Sequence, residues 1–153
     1  MAIELRIDKA ARVLVALDGP REVYRCRVAL GRAPIGHKRA EGDGRTPEGK
    51  YAVCTRNDQS KYYRSLGLSY PGADDAARAF AEGRIAAEEC ERIQSAHCQG
   101  RRPPWDGPLG GFIMIHGGGT DGDWTQGCIA VDDRDIDALW ALCPLGTMVT
   151  ISP

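Results

Sequence analysis

The sequence predicts a mainly β domain with helices inserted before and after a glycine-rich segment that joins a histidine to a cysteine. Three observations carry that expectation. Short runs of alternating apolar and polar residues fill the N-terminal third, the pattern of half-buried strands. Residues 74–99 switch to an alanine- and glutamate-rich composition without proline, which favours helix. Two short apolar runs, FIMIHG and GCIAV, then bracket five glycines and a tryptophan between His116 and Cys128.

Taken in order, IELRIDKAARVLVAL alternates and VYRCRVAL does so again after the turn DGPRE. KYAVCTR is the next strand candidate, after the Gly/Pro-rich stretch GDGRTPEG. The helical region 74–99 is expected to break into two near Gly83, acting as a lid over a cleft or, preferably, a buttress. GRRPPWDGPLGG, with three prolines and four glycines, ends any helix. After FIMIHG and GCIAV, DDRDIDALWALC reads as a helix whose acidic first turn suits the helix dipole. Its apolar residues Ile136, Leu139 and Trp140 share one face. GTMVTISP closes the chain as a strand. Neither repeats nor a linker interrupt the pattern, so residues 1–153 are expected to form one domain.

The bulk numbers exclude several classes. A chain of 153 residues can bury a real core without disulfides. Twenty Lys and Arg against 21 Asp and Glu give a formal charge of −1, no signature of a nucleic-acid partner. No apolar run approaches the roughly 18 residues of a membrane span, and residues 1–20 lack the apolar core of a signal peptide. Six cysteines fall at positions 26, 54, 90, 98, 128 and 143. None forms CxxC. Cys90, His97 and Cys98 come nearest to a metal cluster but want a fourth ligand, so structural or free thiols are the expected state and no metal is assigned. GDGRTPEGK lacks the hydroxylated residue of a phosphate loop and reads as a turn.

The chemistry concentrates in the His–Cys segment. A cysteine with an ordinary pKa of about 8.5 is only slightly ionised at neutral pH, so a nucleophilic thiol needs a neighbouring base or positive field. His116 ends one apolar run and Cys128 begins the next. If the two runs pair, the loop between them folds over and brings imidazole and thiol together. Gly127, without a Cβ, permits a tight turn and lets a substrate carbonyl approach backbone N–H groups. The competing reading is a buried histidine and a buried cysteine sharing a hairpin, a role that would not need so flexible a connection.

IHG followed by T-x-G-C-I, with Thr125, Gly127 and Cys128, resembles the active-site signature of YkuD-type L,D-transpeptidases. GHKRAEGDGRTPEGKYAV, SKYYRSLGLSYPGADDAARA, PLGGFIMIHG and DWTQGCIAV with DIDALW are similar to the YafK-like proteobacterial branch, and the resemblance runs from about residue 3 to 152. It implies a β-sandwich of mixed sheets with the site at one end. It implies a cysteine acyltransferase without cofactor, acting on peptidoglycan stem peptides in the periplasm, with an outer-membrane lipoprotein as a further possible acceptor.

The resemblance also distributes roles. Cys128 would attack the carbonyl between the third-position diamino acid and D-alanine, and His116 would be the general base. The carbonyl of Gly117 would hold the imidazole tautomer, and the N–H groups of Gly127 and Cys128 would stabilise the oxyanion. Thr125 would order the loop, and Trp124 would cover the thiol against water. Lys38 and Arg45 would either face the anionic stem or remain solvated surface charges. Tyr62, Tyr63 and Tyr70 would wall the cleft or pack in the core. The chain departs from the family at Gln126, where His is common, at Ala130, where Arg or Asn is common, and in a shorter His-to-Cys loop. The grip on substrate carboxylates is therefore not carried over. A hydrolase of the same fold and a non-catalytic peptidoglycan-binding module are the alternatives.

Overall fold

A computed structural model describes residues 2–153. Eight strands form one mixed, curled sheet in the order β3-β2-β1-β8-β4-β5-β6-β7. The alternating N-terminal runs become β1 (Ile3–Asp8), β2 (Val13–Asp18) and β3 (Arg21–Arg27), an antiparallel meander. The last strand, β8 (Met148–Ser152), inserts parallel to β1. Leu5, Ile7, Leu14, Ala16, Val149 and Ile151 point into the core from these strands, while the residues between them face outward.

The long strand β4 (Gly49–Ser60) links the halves of the sheet. Its first residues pair with β8 and, past an irregularity between Val53 and Thr55, the rest pairs with β5 (Tyr63–Leu68). A bulge of this kind bends a strand, so one strand serves both halves. β5 was not anticipated. Ser65, Leu66, Gly67 and Leu68 are all buried, which erases the alternation that marks a half-exposed strand.

β6 (Met114–His116) pairs antiparallel with β5 and parallel with β7 (Ile129–Ala130), placing His116 opposite Ala130. The His–Cys connection is therefore a crossover between parallel strands rather than a hairpin. The segment after β3 then reaches the far edge of the sheet. Ala29 bridges Ala130 and Gly31 bridges Thr125, so the two ends of the sheet are drawn together around one apolar cluster.

The helical region does break at Gly83, whose φ is +73°, into α1 (Ala73–Ala81) and α2 (Ala87–Cys98). These pack on each other through Ala76, Ala79, Ile85, Cys90, Ile93 and Leu109. Asp75 pins α1 to the body of the protein, accepting bonds from Tyr51 Oη (2.8 Å), His37 Nε2 (2.7 Å) and the Gly72 N–H (2.8 Å). α3 (Asp133–Leu142) follows β7 as expected, with Ile136 and Leu139 buried. Tyr24 Oη donates to its Asp135, 2.5 Å away.

Candidate active site

His116 is buried, 3% exposed, at the end of β6. Its backbone is held on two sides: its carbonyl accepts from Val131 N at 2.8 Å, and the next N–H, of Gly117, donates to Tyr62 O at 3.1 Å. The imidazole Nδ1 lies 2.5 Å from Gly117 O. A carbonyl can only accept, so Nδ1 carries the proton and Nε2 offers its lone pair. The Tyr62 ring stacks on the imidazole at 4.6 Å and 21°, and Trp124 meets it edge-on at 5.7 Å. A Cβ at Gly117 would stand 2.9 Å from the main-chain Tyr62 O as well as 2.4 Å from Asp133 Oδ1, so glycine is required here for space. Asp133 also accepts the Gly118 N–H at 3.0 Å, so the start of α3 fixes the turn after His116.

Cys128 enters the site just before β7. Its Sγ accepts from Met114 N at 3.4 Å and donates to Phe112 O at 3.2 Å. Burial pushes the thiol pKa up, opposed by the Met114 N–H and the Lys38 ammonium. Burial pushes the His116 pKa down, opposed by the bond to Gly117 O. Both shifts favour the uncharged forms, a thiol and a neutral imidazole. His116 and Cys128 line one cavity of about 380 Å³.

Thr125 Oγ1 donates to Cys128 O at 2.7 Å and accepts the Gly127 N–H at 3.1 Å. One hydroxyl thus bonds both sides of the turn before the thiol. The same bond revises the expected oxyanion hole: the Gly127 N–H is already engaged, which leaves the Cys128 N–H without a main-chain partner among the described residues. Gly127 has φ +138°, and an added Cβ would stand 2.8 Å from Arg45 O, so both backbone conformation and space demand glycine.

The remaining expected residues divide. Trp124, held by Nε1 donating to Gly119 O at 3.0 Å, lines the cavity, as do Tyr62, Thr125 and Lys38. Lys38 is no solvated surface charge; it is 3% exposed and donates to Asp43 Oδ1 (2.9 Å) and Ala40 O (3.0 Å). Asp43 in turn accepts from the N–H groups of Arg39, Ala40 and Arg45, tying the loop together. Arg45 is corrected: it does not line the cavity, because its guanidinium lies against Gly36 while its carbonyl packs on Gly127. Tyr70 is fully buried with Oη donating to Leu109 O (2.7 Å), and Tyr63 turns outward to Asp137 (2.7 Å). Of the three tyrosines only Tyr62 walls the cleft.

Sequence reasoning missed Arg32, Glu41 and Phe112, which also line the cavity. Nothing local marks Arg32 or Glu41; they arrive because the segment after β3 runs beside Thr125, with Arg32 N donating to Thr125 O at 3.0 Å. No residue of α1 or α2 lines the cavity, which accords with a buttress. Of the weighed metal trio, Cys90 is buried, His97 bonds Pro71 O at 2.7 Å and Cys98 is exposed. Among the described residues no group of three or more His, Cys, Asp or Glu is placed to hold a metal ion.

The L,D-transpeptidase catalytic domain family, YkuD, matches residues 3–151. The chain belongs to that family. Solved structures share the YkuD fold at low identity. An L,D-transpeptidase from Xylanimonas cellulosilytica is 18% identical, with a TM-score of 0.57 over 98% of this chain and 60% of that one. The helical cell shape determining protein Pgp2 from Campylobacter jejuni is 19% identical, with a TM-score of 0.66 over 98% of this chain and 47% of that one. L,D-transpeptidase 1 of Mycobacterium tuberculosis is 12% identical, with a TM-score of 0.55 over 99% of this chain and 62% of that one. This YkuD chain thus spans roughly half to three-fifths of those structures. No curated protein sequence matches it. Among the described residues, no helix is long and apolar enough to cross a membrane.

Proposed function

We propose that the protein is a cysteine acyltransferase that cuts the bond between the third-position diamino acid and D-alanine of a peptidoglycan stem and passes the acyl group to an amine. The supporting observation is the tautomer of His116. With Nδ1–H committed to Gly117 O, Nε2 is the basic atom, in the cavity that Cys128 also lines. A main-chain carbonyl does the orienting work of the carboxylate in other triads.

In the first half-reaction Nε2 takes the Cys128 proton as sulfur attacks the carbonyl carbon. The Cys128 N–H donates to the oxyanion of the tetrahedral intermediate. Collapse breaks the C–N bond, and His116 returns the proton to the departing D-alanine amine, leaving a thioester. In the second half-reaction an acceptor amine gives a proton to Nε2 as it attacks the thioester. Collapse frees the thiolate, which recovers the proton from His116. An amine on a second stem gives a 3-3 cross-link; an amine on an outer-membrane lipoprotein gives a wall attachment. Trp124 and Tyr62 shield the imidazole and restrict water, favouring aminolysis over hydrolysis. Family membership fits action in the cell envelope, and the periplasm is the proposed compartment.

The test is mass spectrometry of the intact protein and its products with tetrapeptide muropeptides, with Cys128→Ala as control. A Cys128 adduct with loss of D-alanine, and dimers joined between third residues, is the expected result. Tripeptides without dimers would replace the reading by a hydrolase. Absence of both adduct and turnover would point to a binding module.

A further inference from the structure

Two residues that line no part of the cavity are joined across 111 positions of the chain. Arg12 Nε donates to Asp123 Oδ1 at 3.1 Å and its Nη2 to Asp123 Oδ2 at 2.7 Å, the two-point grip of a planar fork on a carboxylate. Arg12 closes the turn between β1 and β2 with φ +55°. That left-handed conformation strains a side chain and suits glycine, so the turn alone gives no reason for arginine here. Its base is rigid. The Arg12 carbonyl accepts the Val28 N–H at 3.0 Å, and Lys9 Nζ, at the start of the turn, donates to Gly36 O (2.9 Å), Thr46 O (2.8 Å) and Glu48 Oε2 (3.1 Å). At the other end, Asp123 Oδ1 also accepts the Leu30 N–H at 3.0 Å. The main chain continues that contact, with Thr125 N donating to Leu30 O at 3.2 Å and Arg32 N to Thr125 O at 3.0 Å. Trp124, edge-on to the His116 imidazole, and Thr125, which bonds the Cys128 carbonyl and the Gly127 N–H, follow directly.

We infer that Arg12 and Asp123 are positioning residues, an external brace that sets the Cys128 turn against His116. The inference rests on the proposed cysteine chemistry and adds to it two residues that touch neither substrate nor the reacting atoms. An exposed ion pair between mobile side chains contributes little and asks nothing of the backbone. This pair differs at both ends: Arg12 occupies a strained turn position, and Asp123 shares one carboxylate oxygen between the guanidinium and the main chain. Without the guanidinium, Asp123 regains its hydration by turning to solvent, the Leu30 N–H loses its acceptor, and Trp124 and Thr125 are free to shift together. A misplacement of reacting groups by about 1 Å can cost on the order of a hundredfold in rate, far more than one ion pair contributes to folding.

The test reads Cys128 alkylation by iodoacetamide at neutral pH in a Cys98→Ser protein, by peptide mass spectrometry, and needs no turnover. The forms compared are that protein, Arg12→Gly, His116→Ala and both changes together. Glycine accepts φ +55° without strain, so Arg12→Gly is expected to melt close to the starting protein. It is expected to slow alkylation at least about tenfold. Adding His116→Ala should then slow it little further, because the sulfur already lies out of reach of the imidazole. An equal His116→Ala factor in the two backgrounds would overturn the inference, since a pair that only supports the fold leaves that factor unchanged. Asp123→Asn keeps an acceptor for the Leu30 N–H and removes the charge. Combined with Arg12→Gly it should react no slower than Arg12→Gly alone, and additive losses would also overturn the inference. With tetrapeptide donors, Arg12→Gly should lower kcat about tenfold at an unchanged KM. If no donor reacts in any form, the acyltransferase reading fails by itself, while the alkylation factors still decide the positioning role.

Discussion

The imidazole of His116 lies nearly parallel to the ring of Tyr62, with centroids 4.6 Å apart. Stacked aromatic pairs contribute about 0.5–1.5 kcal/mol beyond burial, and here the contact also fixes the plane in which Nε2 presents its lone pair. Tyr62→Ala is expected to lower kcat by up to about tenfold, the kinetic equivalent of that contact. Tyr62→Phe, which keeps the ring, should stay close to wild type. Steady-state kinetics on both variants, with the melting temperature as a folding control, checks this. Equal losses in both would mean that the hydroxyl, not the stack, matters.

Burial holds the His116 pKa below its ordinary value and the Cys128 pKa above. On the proposed mechanism the thiol depends on the imidazole for deprotonation, and the imidazole works only when neutral. Alkylation of Cys128 should lose rate on an acid limb lying below about pH 6.5, the unperturbed histidine value. His116→Ala should remove that limb and leave a rate that rises only at alkaline pH as the thiol ionises alone.

The same burial links protonation to stability. The unfolded chain takes up a proton at His116 at a higher pH than the folded chain does. The contribution of His116 to stability is therefore complete above about pH 6.5 and declines as pH falls towards the lower folded value. Urea midpoints across that window should fall for the wild type and fall less for His116→Ala. Asp75, Asp43 and Asp123 are all held below the ordinary carboxylate range by their hydrogen bonds, so their losses begin only at more acid pH. The two windows separate in one titration.

Much of this arrangement was legible in the chain, for reasons tied to particular residues. β1, β2 and β3 announce themselves because one face is solvated and one buried. Gly83 and the acidic start of α3 mark boundaries by chemistry that acts within a few residues. β5 was illegible because its core stretch, Ser65–Leu68, is buried on both faces. The site splits in the same way. His116, Thr125, Gly127 and Cys128 are neighbours in sequence and form a recognisable motif. Arg32 and Glu41 reach the cavity only through the closure of the sheet and the Asp43-centred loop, long-range events without a local signature. Arg45 was left between the stem and the surface because charge alone cannot say on which side of a loop a side chain leaves; it does not line the cavity. Lys38 was partly missed because burial of its ammonium depends on Asp43 and Ala40 O as partners.

The Thr125 hydroxyl permits a sharper test of how the turn before Cys128 is held. It satisfies both the Cys128 carbonyl and the Gly127 N–H. Thr125→Val preserves shape but leaves two polar groups unsatisfied, at a cost of about 1–3 kcal/mol for each that water does not reach. Thr125→Ser keeps the hydroxyl and should restore most of the loss. Denaturant midpoints of the two variants measure the stability difference. Activity should fall in Thr125→Val beyond what unfolding explains, because the Cys128 N–H shares a turn with the broken clamp. A Thr125→Val protein as active as wild type per folded molecule would show that β7 alone positions the thiol.

The six cysteines provide the last discrimination, because they differ in both exposure and ionisation. Burial pushes Cys54 and Cys143 up to about 11 and Cys26 up to about 12, so at neutral pH these three carry almost no thiolate and should resist alkylation. Cys90 is buried and should resist through lack of access. Cys98 is exposed and should be open to the reagent. Cys128 shares a cavity with the His116 imidazole. In a Cys98→Ser background, limited iodoacetamide at neutral pH should give one labelled peptide containing Cys128. His116→Ala should slow that labelling without exposing the other four, read by peptide mass spectrometry. Labelling spread evenly over the remaining cysteines would instead mean a loosened core, and labelling of Cys128 indifferent to His116 would remove the imidazole from its activation.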